Sequence, residues 1–444
     1  MGFGEKVCLI SLGCPKNLVD SENILGILDR SGYVPVSGLE EAETAVINTC
    51  GFVQSAVEET IDTILEAVEE KTHGRLKRVF VTGCFVQRYG YKLRGEIPEV
   101  DGWLGTGQIE RIAELLGAPP TDPPPFFISR PLYLADHRTP RVQTTPFYTA
   151  YLKIAEGCCH RCTFCLIPAL TGPYRSRDPD SIMAEATVMA ERGVKEINLV
   201  AQDTASYGLD LPGSTRLEDL LERLAKTEGL RWIRLLYCHP WGISDRLLEL
   251  LDGLETLCPY LDVPLQHVSG GVLRSMGRAE QWESPQRMVE RIRSRTRRIS
   301  IRTTLMVGFP GETEEDFKSL CRFVEAAAFE RLGTFIYSPE QGTPAARLPG
   351  LVEPLTARQR RDEIMGIQAA ISRKINEGMV GKVLPVLIEG MSPETDLLLT
   401  GRTPAMAPEV DGQVLINKGK GMVGDISPVR ITAAHTHDLI GEIL

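Results

Sequence analysis

Three short apolar runs, VCLIS, AVINT and RVFVT, punctuate the start of the chain, and each is too brief for a helix. Between them, NLVDSENILGILDR and FVQSAVEETIDTILEAVEE space their apolar residues as the buried stripe of a helix requires. Runs that are apolar throughout read as strands covered on both faces, and their alternation with helices predicts a parallel α/β sheet over residues 1–118. APPTDPPPFF follows, in which five prolines (Pro119, Pro120, Pro123, Pro124 and Pro125) predict chain without regular structure. It opens a proline-rich linker spanning 119–146.

Strand-helix alternation then resumes over residues 147–372. AYLKIAE, EINLVAQ, WIRLLYC, YLDVPLQ, SIRTTLMVG and LGTFIYS are the strands, with helical stretches such as SIMAEATVMAERG and LEDLLERLAKTEG between them. Some six βα units predict a (β/α) barrel, complete or partial. From 373 to 444 the texture changes: KVLPVLIEG, DLLLTGR, QVLINKG and ISPVRITAAH are short, partly alternating and broken by turns, as in a small antiparallel β-barrel. The fold class is therefore α/β with a small all-β end.

Composition narrows the possibilities. Of 444 residues, 43% are hydrophobic and 24% charged, as in ordinary globular proteins. No apolar run is long enough for a membrane span, and the N-terminus lacks the basic-then-apolar pattern of an export signal, so a cytoplasmic location without a membrane partner is expected. A net charge of −10 does not suit a protein that grips phosphate backbones over a large area, and it suits a basic protein partner. Eleven cysteines in such a chain point to metal or redox chemistry rather than disulfides.

Four of those cysteines stand in EGCCHRCTFCLIP: Cys158, Cys159, Cys162 and Cys165. A structural zinc site takes four ligands, often as two C-x2-C pairs, but here the two possible pairs share Cys162 and no second pair exists elsewhere. Setting Cys159 aside leaves C-x3-C-x2-C, a spacing that resembles the signature of the radical S-adenosylmethionine enzymes. Three thiolates hold three irons of a 4Fe-4S cubane and leave the fourth open. The resemblance implies that S-adenosylmethionine binds there and is cleaved to a 5′-deoxyadenosyl radical. It also places Phe164 near the adenine, a residue that ordinary loop packing would explain equally well.

A second set lies in SLGCPKN, INTCGF and VTGCFVQ, where Cys14, Cys50 and Cys84 each follow a strand. Strand ends of a parallel sheet gather along one edge, so cysteines 34 to 36 residues apart can converge. A single buried cysteine would be ordinary, whereas three in equivalent turns favour a second three-thiolate site. SLGCPKNLVDSE, NTCGF, TGC, EGCCHRCTFCLIP, GPYRSR, AQDT, DVPLQH and GFPGET together resemble the methylthiotransferases of the radical S-adenosylmethionine superfamily over nearly the whole chain. That resemblance implies an N-terminal methylthiotransferase domain with an auxiliary 4Fe-4S cluster on Cys14, Cys50 and Cys84. It implies a radical barrel with a second cluster on Cys158, Cys162 and Cys165, and a C-terminal TRAM domain. The implied reaction replaces a C–H hydrogen with methylthio, consuming two S-adenosylmethionine molecules. Cys159 stands where a polar residue is expected.

Gln202 and Asp203 at the end of the second barrel strand, and Arg302 on a later one, are candidates to hold the cofactor's polar parts or to form a structural network. Arg175 and Arg177 in GPYRSR are candidates for cofactor, substrate or solvent. GFPGET reads as a turn that needs its glycines, and His239 and His267 show no metal partner at a recognisable spacing. On substrate, SLGCPKNLVDSE and APEVDG resemble the branch that modifies an aspartate of small-subunit ribosomal protein number twelve, rather than the branch acting on isopentenylated adenosine in tRNA. Residues 373–444 agree, with seven basic against nine acidic side chains, since a tRNA-recognition domain should be basic. A non-catalytic iron-sulfur factor that binds RNA or assists assembly is the alternative of another class. An electron donor is implied, and a monomer is expected.

Overall fold

The computed structural model of the chain describes residues 4–278 and 283–444. The N-terminal strands are β1 (Lys6–Ser11), β2 (Val34–Val36), β3 (Thr44–Thr49), β4 (Arg78–Gly83), β5 (Gly102–Gly105) and β6 (Phe126–Phe127). They form one parallel sheet in the order β2-β1-β3-β4-β5-β6. Helices α1 (Pro15–Arg30) and α2 (Gln54–His73) connect successive strands, and β3 is buried along its whole length. β6 departs from the expectation of irregular chain after the prolines, because Phe126 and Phe127 pair with Trp103 and Leu104. An edge strand bonds one neighbour only, so prolines immediately before it are tolerated. The sheet therefore extends past residue 118.

The central strands are β7 (Thr149–Lys153), β8 (Ala155–Glu156), β9 (Arg175–Ser176), β10 (Glu196–Val200), β11 (Trp232–Leu235), β12 (Leu257–Asp262), β13 (Ser300–Val307) and β14 (Arg331–Ile336). Six of them form an open parallel sheet, β7-β10-β11-β12-β13-β14, so the barrel is partial. The predicted strand AYLKIAE is split in two, and its end, β8, pairs antiparallel with β9 from GPYRSR. One side of the sheet packs on the helices through Leu152, Ile197, Ile233, Leu261 and Leu305. The other side brings Tyr151, Leu236 and Tyr260 against Val19 of α1 and against Leu387 and Ala407 of the C-terminal unit.

A helix over Pro354–Glu377 runs through the expected boundary at 372 before the last five strands begin. These are β15 (Val383–Ser392), β16 (Thr395–Arg402), β17 (Val414–Lys418), β18 (Ile426–Ala434) and β19 (Leu439–Ile443), closed as β15-β16-β17-β19-β18. The barrel is not wholly antiparallel, since β17 and β19 pair in parallel. β19 has no counterpart among the four runs singled out in the sequence, and it closes the barrel between β17 and β18. Among the described residues no helix is long and apolar enough to cross a membrane.

Candidate active site

Cys14 caps the N-terminus of α1, with Pro15 at the helix's first turn. Cys84 opens helix α3 (Cys84–Tyr89) directly after β4, and Cys50 follows β3. All three thus lie at the C-terminal edge of adjacent parallel strands, where such sheets place ligands. Their turns are tightly built. Gly13 has φ +90°, and a Cβ there would lie 2.8 Å from the Cβ of Cys50 and 3.2 Å from its sulfur. Beneath the turns, Asn17 donates to the carbonyls of Leu12 (2.6 Å) and Asn48 (3.2 Å), and Asn48 donates to Asn17 O (3.0 Å) and Ser21 Oγ (2.9 Å). These buried amides, which the sequence reading did not single out, lock the Cys14 turn to the strand that ends before Cys50.

Cys158, Cys162 and Cys165 lie in the loop after β8. Cys158 N–H donates to Gly172 O (3.1 Å), Cys165 N–H to Cys162 O (3.1 Å), and Thr163 N–H to Met276 O (3.0 Å). Gly157 has φ +76°, and a Cβ there would meet Pro173 O at 2.1 Å. Arg278, buried and also missed by the sequence reading, points Nη1 at the Cys162 sulfur (3.6 Å) and donates from Nη2 to Pro264 O (2.7 Å). Cys159 faces outward, its sulfur accepting from Tyr174 N–H (3.3 Å). Phe164 packs edge-on to Phe309 with ring centres 6.5 Å apart.

Burial pushes the Cys158 thiol up to about 12, and the charges of Cys165, Asp203 and Cys162 push the same way. Burial likewise pushes Cys165 up to about 11, and Cys84 well above its ordinary value with Cys14 and Cys50 adding to the shift. Thiolates so placed are costly unless cations bind them, which is the behaviour of a metal-binding donor set. Four sulfurs around one zinc at ~2.3 Å would sit ~3.8 Å apart. Among the described residues, the only set of three such donor groups within 4.8 Å of one another is His160, Asp203 and His239, so each cysteine triad is spread wider than a single ion would hold it. The donors fit a multi-iron cluster.

Asp203 is 1% exposed and is fully engaged. It meets His160 Nε2 (2.7 Å) and accepts from Ser206 Oγ (2.5 Å), His239 N–H (3.0 Å) and Ala205 N–H (3.1 Å). The His160 ring stacks on His239 at 3.7 Å, so His239 does gain donor neighbours, from loops too distant in sequence for spacing to reveal them. Arg302 lies early in β13, facing Asp262 (3.4 Å) and Asp411 (3.6 Å) rather than the cysteine loop. Arg177 is buried, donating to Lys153 O (2.8 Å) and pairing with Glu185 (2.6 Å), a structural arrangement. In GFPGET, Glu312 accepts from Gly308 and Phe309 N–H and pairs with Arg360 (3.1 Å), so the turn serves its own shape.

A cavity lies between the first sheet and the ends of the barrel strands. Cys14 and Cys84 line it from the first sheet, and Lys153, Glu156 and Gln202 line it from the ends of the first two barrel strands. Lys153 bridges the two halves, pairing with Asp20 of α1 and with Glu156, each at 2.5 Å. Glu340, after β14, ties down the same region by pairing with Arg88 (2.7 Å) and accepting from Gln54 N–H (3.1 Å).

Comparison with known proteins fits this geometry. The family described as Uncharacterized protein family UPF0004 matches residues 6–105, the Radical SAM superfamily matches 152–324, and the TRAM domain matches 380–444. The chain is 47% identical over 441 residues to the ribosomal protein uS12 methylthiotransferase RimO of Geotalea uraniireducens, covering 99% of this chain and 98% of that protein. It is 47% identical over 440 residues to the RimO of Pelobacter propionicus, again covering 99% and 98%. Among solved structures, the radical S-adenosylmethionine methyltransferase TsrM of Kitasatospora setae, with cobalamin and a [4Fe-4S] cluster bound, superposes with a TM-score of 0.54. At 16% identity over 77% of this chain and 74% of that one, the likeness is one of fold.

Proposed function

The chain belongs to the family of ribosomal protein uS12 methylthiotransferases, and from that membership we propose that it installs a methylthio group on the β-carbon of an aspartate in uS12, small-subunit ribosomal protein number twelve. It is a radical S-adenosylmethionine enzyme whose cofactors are two 4Fe-4S clusters and S-adenosylmethionine. We assign Cys158, Cys162 and Cys165 to the radical cluster and Cys14, Cys50 and Cys84 to the auxiliary cluster. The division of labour follows the N-terminal sheet, the central barrel and the C-terminal barrel, with β6 adding part of the 119–146 stretch to the first sheet and the Pro354–Glu377 helix crossing the boundary at 372.

The observation that supports the assignment is a cavity lined by Cys14 and Cys84 together with Gln202 and with Glu156, two residues before Cys158. With its cofactors bound, the site supplies a carbon-centred radical that removes hydrogen and a sulfur that is methylated and transferred. The protein's part is to bring those two capacities to one substrate carbon and to exclude water. Lys153 fixes the approach by clamping α1 to the first barrel strand, and its two carboxylate partners leave it no charge to offer a substrate. Arg278 holds the Cys162 sulfur by a hydrogen bond, and Asp203 holds His160 of the cysteine loop. Phe164 offers a face for the adenine, and Gln202 reaches the cavity with a neutral amide. Arg302, engaged by two carboxylates, is assigned a positioning role at the junction with the C-terminal barrel.

The acidic C-terminal barrel matches a basic protein substrate, working in the cytoplasm as a monomer with a separate electron donor. The test supplies anaerobically reconstituted protein with S-adenosylmethionine, a reductant and sulfide, and offers either uS12 or isopentenylated tRNA. Mass spectrometry is expected to find hydrogen replaced by methylthio on the protein alone. Modified tRNA would overturn the substrate assignment, and no cleavage of S-adenosylmethionine would favour the non-catalytic alternative.

A further inference from the structure

An aspartate entering this cavity brings a carboxylate with it, and the cavity's cations are not equally free to receive one. Lys153 is neutralised by Asp20 and Glu156. Arg175 spends its terminal nitrogens on the carbonyls of Pro173 (2.6 Å) and Thr171 (3.2 Å). Lys16, two residues after Cys14, is different. Its side chain lies in a residue only 9% exposed, yet among the described residues no carboxylate comes within ion-pair distance of its ammonium. The ammonium rests 3.3 Å from the ring centre of Tyr237. Asp262, whose charge reaches it from the barrel, is occupied by Arg302 (3.4 Å) and by Tyr237 N–H (3.1 Å).

The platform beneath Lys16 is itself unusual. Tyr237 follows β11 and adopts φ +59°, in the left-handed region that a bulky residue enters only when its surroundings impose it. Three groups hold it there: Asp262 accepts from its N–H, while its carbonyl accepts from Thr204 N–H (3.0 Å) and Thr204 Oγ1 (3.2 Å). The result is a buried ammonium on a residue that lines the cavity with Cys14, partly compensated by a ring face and, among the described residues, donating to no protein acceptor. A desolvated ammonium in that state is completed by an anion.

We propose that Lys16 is the specificity-determining residue for substrate, binding the side-chain carboxylate of the target aspartate and thereby presenting the adjacent β-carbon to the cavity lined by Cys14 and Cys84. The proposal rests on the uS12 reading above. It also gives that reading a local chemical reason, because a neutral adenine ring would have no use for this charge.

The experiment measures binding of reconstituted holoprotein to uS12 carrying either Asp or Asn at the target position, using wild type, Lys16→Met and Lys16→Arg. Wild type is expected to bind the Asp form about tenfold or more tighter, as a charge-assisted hydrogen bond would give. Lys16→Met should abolish the preference, and Lys16→Arg should keep most of it. An unchanged Asp/Asn ratio in Lys16→Met overturns the proposal, as does a raised KM for S-adenosylmethionine with that ratio intact, which would give the ammonium to the cofactor's own carboxylate. Iron and sulfide content shows whether each variant keeps its clusters. Should Lys16→Met lose them, Lys16→Arg decides, since loss of the preference in a cluster-loaded, charge-retaining variant refutes the role. Failure of the uS12 reading is separable: wild type would then bind neither form of uS12 and would methylthiolate neither.

Discussion

Arg402→Met tests how the C-terminal barrel is held to the catalytic one. Arg402, at the end of β16, is 3% exposed, and its guanidinium donates to Glu196 at the start of β10 (2.6 and 3.1 Å), to Glu389 (2.8 Å) and to Met406 O (3.1 Å). Glu196 also accepts from Arg234 (2.9 Å) and from the Thr149 hydroxyl (2.9 Å). Removing one partner of a buried pair costs about 3–5 kcal/mol, and because Arg234 remains, the lower end applies. Titration gives a similar figure. Burial would raise the Glu196 carboxyl, but Arg402 and then Arg234 overcome it and hold the group at about 2, against 4.5 ordinarily. That depression corresponds to about 3 kcal/mol of stability shared across the network. Its sign is that of a depressed carboxylate: the contribution is complete above pH 4.5 and drains away as pH falls towards 2. Urea unfolding of wild type and Arg402→Met, followed by circular dichroism and tryptophan fluorescence, is expected to show a loss of about 3 kcal/mol. The variant should also show a shallower acid limb and an earlier, separate transition for the C-terminal unit. A loss below about 1 kcal/mol, or strict additivity with Glu196→Gln, would refute the reasoning.

Other expectations concern the site and the turns around it. Cys84→Ser and Cys165→Ser should each halve the iron and sulfide of the reconstituted protein, and only Cys165→Ser should abolish reductive cleavage of S-adenosylmethionine; equal loss of cleavage in both would remove the division of roles. Gly13→Ala should cost about 1–2 kcal/mol through its positive φ and lower auxiliary-cluster iron by displacing Cys50, both read by thermal melts and iron assay. His267 is buried and accepts from Ser269 N–H (2.9 Å), and burial pushes it down to about 4. Folded-state stability should therefore fall as pH drops from 6.5 towards 4, and His267→Gln should flatten that part of the pH–stability curve measured on apoprotein.

The sequence by itself determined most of the buried sheet strands and offered two cysteine sets, for reasons confined to short stretches. An apolar run such as AVINT is legible because both faces of β3 are buried, and C-x3-C-x2-C is legible because its residues sit on one loop. The convergence of Cys14, Cys50 and Cys84 was also readable, since a parallel sheet brings its strand ends to one edge whatever the details. Residues whose partners lie far off in the chain were not readable. Lys16 looks like any helix-start lysine until Tyr237 arrives beneath it, and Arg278 like any loop arginine until Cys162 does. Phe126 and Phe127 looked like linker because an edge strand depends on the neighbour it joins. Local pattern carries the information for hydrogen-bonded elements and for ligands on one turn. The charge and reach of a buried side chain are set by whatever the fold places against it, and only the tertiary structure decides that.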